Sequence, residues 1–212
     1  MGQFSDDGQS WCDGTTWVAT AQIVLPQLPM TEFERSGKLN EARGRKRKRD
    51  GLGGVSMVPG STLLNAVAGI AFVVVQYRVL REYRLWTLEQ LALATSYLLG
   101  PDEAMLAGET TMLGSGFFRF GVTRDLAVVV TPAHVLVFRI DSLDGQPRWV
   151  ALAARPNDVA MQLHSGPFGF EPTLIISGRN GQCAIRGYQR VFQPEPVLQA
   201  WHQAAAGTLN TR

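Results

Sequence analysis

Cysteine is scarce in this chain of 212 residues: only Cys12 and Cys183 occur, too few for a disulfide framework or, without other ligands, a zinc site. Cys12 lies in a polar stretch and reads as a free surface thiol, while Cys183 lies in a predicted strand and reads as a small buried residue. A reducing, cytoplasmic compartment follows. Histidine is as sparse, with His134, His164 and His202 in a turn, a strand end and the last helix. That spacing alone supports no metal site, although a fold could bring His134 and His164 together. Charge of one sign is also lacking: 20 basic against 18 acidic residues leave a net +2, so the surface as a whole is not a polyanion binder and any such activity is local.

Reaction motifs are missing as well. There is no G-x-S-x-G elbow, no G-x-x-x-x-G-K-[ST] loop, no H-E-x-x-H and no Cys-x-x-Cys. Gly114-Ser-Gly116 followed by Gly121 has neither the spacing nor the following helix of a dinucleotide loop. The expectation is a protein that is not an enzyme and needs no cofactor. No Lys or Arg precedes Arg35, so the start lacks the basic region of a secretory signal. The opening Met-Gly-Gln-Phe-Ser-Asp puts Asp6 where a myristoylation signal needs Ser or Thr. Ala, Val, Gly and Arg usage suits a bacterial source.

What is present divides the chain into three. Residues 1–56 read as a flexible N-terminal region; Thr15 to Pro29 is a short strand or none, and Met30, opening MTEFER, would serve as an initiator, leaving what precedes it an extension without packed structure. Within this region Arg43, Arg45, Lys46, Arg47, Lys48 and Arg49 place six like charges in seven residues, which repel one another and stay solvated. A nucleic-acid contact, an anionic-lipid contact, an anchor before a membrane helix and a solubilising tail compete for this cluster. No aromatic residue is interleaved to stack on bases, which weakens the nucleic-acid reading.

Residues 57–100 form a helical segment. Met57 to Tyr77 runs about 20 residues without a charge, the length needed to cross a bilayer core. The basic cluster before it favours a span. Ser61, Asn65, Gly69 and Gln76 dilute it, and Arg78, Arg81 and Arg84 put positive charge on the far side too. Leu63, Val67, Ile70 and Val74 keep helical spacing, so a helix packed on a sheet or a partner serves equally. A further amphipathic helix is predicted to start at Thr87, in the capping-box pattern Thr87-Leu-Glu-Gln90, and to end at Gly100-Pro101. Tyr83 and Trp86 ahead of it read as core contacts.

From Asp102 the period becomes that of strands. Leu126 to Asp141, LAVVVTPAHVLVFRID, is a strand, a turn and a strand. Further strands are predicted at Glu103 to Met112, Gly116 to Val122, Arg148 to Ala153, Asp158 to His164, Pro172 to Ser177 and Gln182 to Arg186. Asp144-Gly145, Gly166-Pro167 and Asn180-Gly181 mark turns. Pro194-Glu-Pro196 opens a final helix with Val197, Leu198 and Trp201 on one face. Short strands at this spacing indicate a mainly β antiparallel barrel or sandwich.

About seven strands followed by one amphipathic helix, with VVVTPAHVLVFR, the turn-strand NGQCAIRG and the closing VLQAW, resembles the bacterial pleckstrin-homology-like domains over about residues 102–205. Pro132-Ala133-His134 stands where those domains often carry Asp-Arg-Arg. The resemblance implies a binding or scaffolding module whose barrel loops meet a protein partner, a second subunit or an acidic surface. A phosphoinositide pocket would need converging Lys and Arg, and between Gly116 and Val135 there are only Arg119 and Arg124, with no lysine after Lys48. Arg119 and Arg124 are the anion contacts this half offers, with solvated strand-end arginines as the plainer alternative. The expectation is therefore a non-enzymatic interaction module at residues 101–206; the alternatives are a membrane-anchored protein with this domain as its soluble part, and nucleic-acid binding through Arg43 to Arg49.

Overall fold

In chain order the elements are β1 (Gln3–Phe4), β2 (Ser10–Cys12), β3 (Trp17–Ala19), a short helix α1 (Glu32–Arg35), the long helix α2 (Thr62–Leu99), β4 (Ala107–Thr110), β5 (Leu126–Val130), β6 (Val135–Ile140), β7 (Pro147–Ala154), β8 (Val159–His164), β9 (Thr173–Gly178), β10 (Gly181–Arg186) and the closing helix α3 (Glu195–Leu209). The structure, a computed structural model, describes residues 2–38, 40–41, 62–110, 126–140, 146–165, 172–179, 181–187 and 191–209. The protein is mainly β, with three antiparallel sheets ordered β1-β2-β3, β4-β5-β6-β7 and β8-β9-β10. The strand expected at Gly116 to Val122 lies outside the described residues.

The run LAVVVTPAHVLVF is continuous rather than alternating because the sheet it forms is covered on both faces. Strands β5 and β6 pair with Val128 opposite Val137 and Val129 opposite Leu136. On one face Ala127, Val129, Leu136 and Phe138 pack with Leu91, Ala94 and Leu98 of α2. On the other, Val128, Val130, Val135 and Val137 pack with Leu174 and Ile176 of β9 and Val197 and Ala200 of α3. Each side chain of this size contributes ~1.5–3 kcal/mol when taken from water.

Among the described residues these sheets do not close into a barrel, so of the fold expected the mainly β, antiparallel character is found and the closure is not. The break falls at Arg155-Pro156. Pro156 opens a 3-10 turn, Pro156–Asp158, and has no N–H with which to continue the ladder, so β8 begins a new sheet. Trp201 of α3 fastens this corner by donating its indole N–H to the Pro156 carbonyl at 2.9 Å.

Two expectations are corrected. Thr87 does not start a helix: α2 runs unbroken from Thr62 to Leu99, and the Thr87 hydroxyl, buried, donates back to the Tyr83 carbonyl one turn earlier at 2.9 Å. Nothing between Val79 and Trp86 breaks a helix, so the capping pattern is overridden by continuity. Its end is as expected, with Gly100 at φ 90° donating its N–H to the Ser96 carbonyl at 2.9 Å. Trp86 is buried and meets Tyr83 edge-on at 6.1 Å.

The second correction concerns the N-terminus. Where an unpacked extension is expected, residues 2–28 form β1 to β3 and bury Phe4, Trp11, Ile23, Leu25 and Leu28 against α2 and the central sheet. Trp11 donates its indole N–H to the Leu98 carbonyl at 3.0 Å. Leu25 donates its backbone N–H to the Arg148 carbonyl at 3.0 Å, and Val24 bridges Trp149, so this segment lies along the outer edge of β7 and occupies hydrogen-bonding groups an edge strand would otherwise expose. Gly8 makes the close approach: at φ 68°, a Cβ there would stand 1.8 Å from the Ala153 carbonyl oxygen.

Candidate functional site

Helix α2 is fixed to the sheet by one buried ion pair. Glu109 of β4 is fully buried and accepts from Arg84 Nε at 3.0 Å and Arg84 Nη2 at 2.8 Å, from its neighbour Thr110 N–H at 3.0 Å, and from Gln193 N–H at 2.8 Å. A carboxylate in this position is held by charge and by hydrogen bonds together. It joins α2, β4 and the segment leading into α3.

With Arg84 turned inward and Trp86, Gln90, Leu91 and Ala94 buried, the opposite face of α2 looks outward. A groove of about 700 Å³ lies along it, lined by Arg78, Arg81, Leu85, Leu88 and Ala92 of α2 together with Met105. Lys38, Glu82 and Glu89 complete its lining. Arg78 and Arg81 are exposed, and Leu85 is 44% exposed at the centre of the stretch.

A second cluster surrounds the β5–β6 turn. His134 Nδ1 stands 2.7 Å from Glu103 Oε1, and the Thr131 hydroxyl also meets that oxygen. His134 donates its backbone N–H to Thr131 Oγ1 at 2.9 Å, closing the turn on itself. Burial pushes the Glu103 carboxyl up, but hydrogen bonds from His134 and Thr131 outweigh it and hold the group below its ordinary value. The imidazole also meets Phe4 of β1, with ring centroids 5.8 Å apart. A cavity of about 220 Å³ beside it is lined by Ser5, Asp6, His134 and Arg155. Arg155 pairs with Asp6, which ties the β1–β2 turn to the end of β7, and the Ser5 hydroxyl donates within that turn to Asp7 Oδ1 at 2.6 Å. A carboxyl whose pKa is lowered by folding stabilises the fold above the ordinary value of 4.5 and loses that contribution as pH falls through the folded value. Glu103→Gln is therefore expected to be less stable than the parent near neutral pH, with the gap narrowing as pH drops below 4.5. Urea-unfolding midpoints for both proteins across that range measure it; a constant gap would show that the carboxylate charge contributes nothing.

His134 and His164 do not form a metal pair: His134 is engaged by Glu103, whereas His164 ends β8 opposite Thr173. Among the described residues no group of three or more metal-ligating side chains gathers. Cys183 sits in β10, where burial pushes its thiol up to about 11; both cysteines are free. Arg43, Arg45, Lys46, Arg47, Lys48, Arg49, Arg119 and Arg124 all lie outside the described residues. Among the described residues no helix is long and apolar enough to cross a membrane; of the candidate span Met57 to Tyr77, residues 57–61 lie outside them, as do the side chains of 62–73 and 75–77. Sequence reasoning missed both the groove and the Glu103–His134 pair. The groove had a signal in the alternating three-four spacing of Arg78, Arg81, Leu85, Leu88 and Ala92; the pair, 31 residues apart, had none.

Compared with protein-family models and with curated proteins, the chain matches none.

Proposed function

We propose that this chain is a non-enzymatic interaction module of pleckstrin-homology-like type that docks a protein partner along the outer face of α2. The order of elements supports the resemblance: four antiparallel strands β4 to β7, three more β8 to β10, then α3. The observation that carries the docking function is the groove, where Leu85, Leu88 and Met105 form an apolar floor and Arg78 and Arg81 stand exposed at one end. An apolar strip edged by charge on a rigid helix is the surface a helical segment of a partner recognises. The cavity at His134 serves the fold, since its imidazole, arginine and serine are each committed to a bond within the chain.

A photo-crosslinking residue at Leu85, compared in cells with one at Gln162, exposed on β8, tests this. A protein adduct from position 85 and none from 162 is the expected result. Equal labelling at both would remove the groove's claim, and lipid adducts alone at 85 would replace the protein partner with a membrane surface.

A further inference from the structure

We infer, on the reading of α2 as the docking surface, that its occupant is an acidic amphipathic helix of another protein, with its apolar face in the groove and its carboxylates held by Lys38, Arg78 and Arg81. Five charged side chains line the groove: these three cations and the carboxylates of Glu82 and Glu89. Both carboxylates are already engaged within the chain, and Glu82 Oε2 is buried. The cations are not. Lys38, Arg78 and Arg81 are exposed, and among the described residues no carboxylate pairs with any of them. Arg84 shows how the fold treats a cation that it uses itself, turning it inward onto Glu109. The charge left for a partner to meet is therefore positive.

The floor supplies the other half of the complement. Leu85 stands 44% exposed, while Leu88 and Met105 pack one flank on the core and line the groove with the other. From Arg78 to Ala92 the lining follows α2 for about four turns, about 21 Å, enough to seat a facing helix of the same length. Such a helix brings an apolar stripe to the leucines and acidic residues on its margins to the cations, whose stems cover apolar surface while their heads stay in water. Shape favours a helix over other polyanions. A bilayer surface is flat and would rest on the rim, short of the partly buried Leu88 and Met105. Among the described residues no aromatic side chain lines the groove to stack on a base.

Two dye-labelled synthetic helices of about 18 residues, sharing one leucine stripe and carrying either glutamate or lysine among glutamines on the polar face, are titrated onto the full chain and read by fluorescence anisotropy. The glutamate peptide is expected to bind at least about tenfold more tightly than the lysine peptide, with an affinity that falls as salt is raised. Lys38→Glu, Arg78→Glu and Arg81→Glu together, all at exposed positions, are expected to exchange the preference, so that the lysine peptide binds the more tightly. That exchange is a gain of binding, which a misfolded variant cannot imitate. A preference for glutamate that survives the reversal, or equal binding of the two peptides, overturns the acidic partner; equal binding that Leu85→Asp still abolishes leaves the groove as a docking face for a partner of other chemistry. Binding of neither peptide also overturns the acidic partner, and the crosslink at position 85 then decides the docking role by itself. Co-sedimentation with vesicles of phosphatidylcholine and phosphatidylserine, lost on the same reversal while neither peptide binds, would replace the helix with a membrane surface.

Discussion

Glu109→Ala is expected to lower stability by about 3–5 kcal/mol, a large share of what a domain of this size possesses. The substitution leaves the Arg84 guanidinium, whose side chain is 14% exposed, without its carboxylate, and strands the N–H groups of Thr110 and Gln193. Arg84→Met inverts the defect, leaving a fully buried carboxylate without its counter-charge. Replacing both partners with apolar residues of similar volume is expected to restore most of the loss, since the penalty arises from one unpaired charge more than from a missing attraction. Chemical unfolding of the two single variants and the double variant measures this. Additive losses in the double variant would show that the two groups act separately.

A chain starting at Met30 is expected not to fold. It lacks Phe4, Trp11, Ile23, Leu25 and Leu28, all buried. At ~1.5–3 kcal/mol each their loss removes about 8–15 kcal/mol, the whole stability of an ordinary domain. The face of α2 carrying Leu91, Ala94 and Leu98 would also lose part of its cover. Trp11→Ala in the full chain isolates the central contact: loss of the indole and of its bond to the Leu98 carbonyl is expected to cost about 3–5 kcal/mol. Soluble expression and thermal unfolding of both proteins test the point, and a shortened chain that melts with the parent would make the N-terminal strands an ornament of the fold.

The strands from Leu126 onward were legible because burial leaves a direct mark on composition. A sheet covered on both faces needs apolar residues at successive positions, and Thr131-Pro-Ala-His134 punctuates two such runs. The start of α2 was misplaced because Thr87 and Gln90 imitate a cap, whereas a threonine within a helix satisfies its hydroxyl on the preceding turn. Strands β1 and β2 were missed, and β3 was met only as one of two alternatives for Thr15 to Pro29, for a different reason: at two or three residues each they are shorter than any period, and what holds them is contact with residues far along the chain. Arg78 and Arg81 were visible as charges, but which way they point is set by Arg84 finding Glu109, 25 residues on. No local pattern encodes that meeting.

The same remoteness governs the order in which the molecule assembles. Residues 2–28 are made before the elements they pack on, so Trp11 waits 87 residues for the Leu98 carbonyl, and Asp6 waits 149 for Arg155. Closing such loops is slow, because chain entropy is lost before the contact returns anything. The opening segment, paired within its own three-stranded sheet, is therefore expected to dock late, laying Phe4 and Trp11 on the core and sealing the edge of β7 once α2 and the central sheet have formed beneath it.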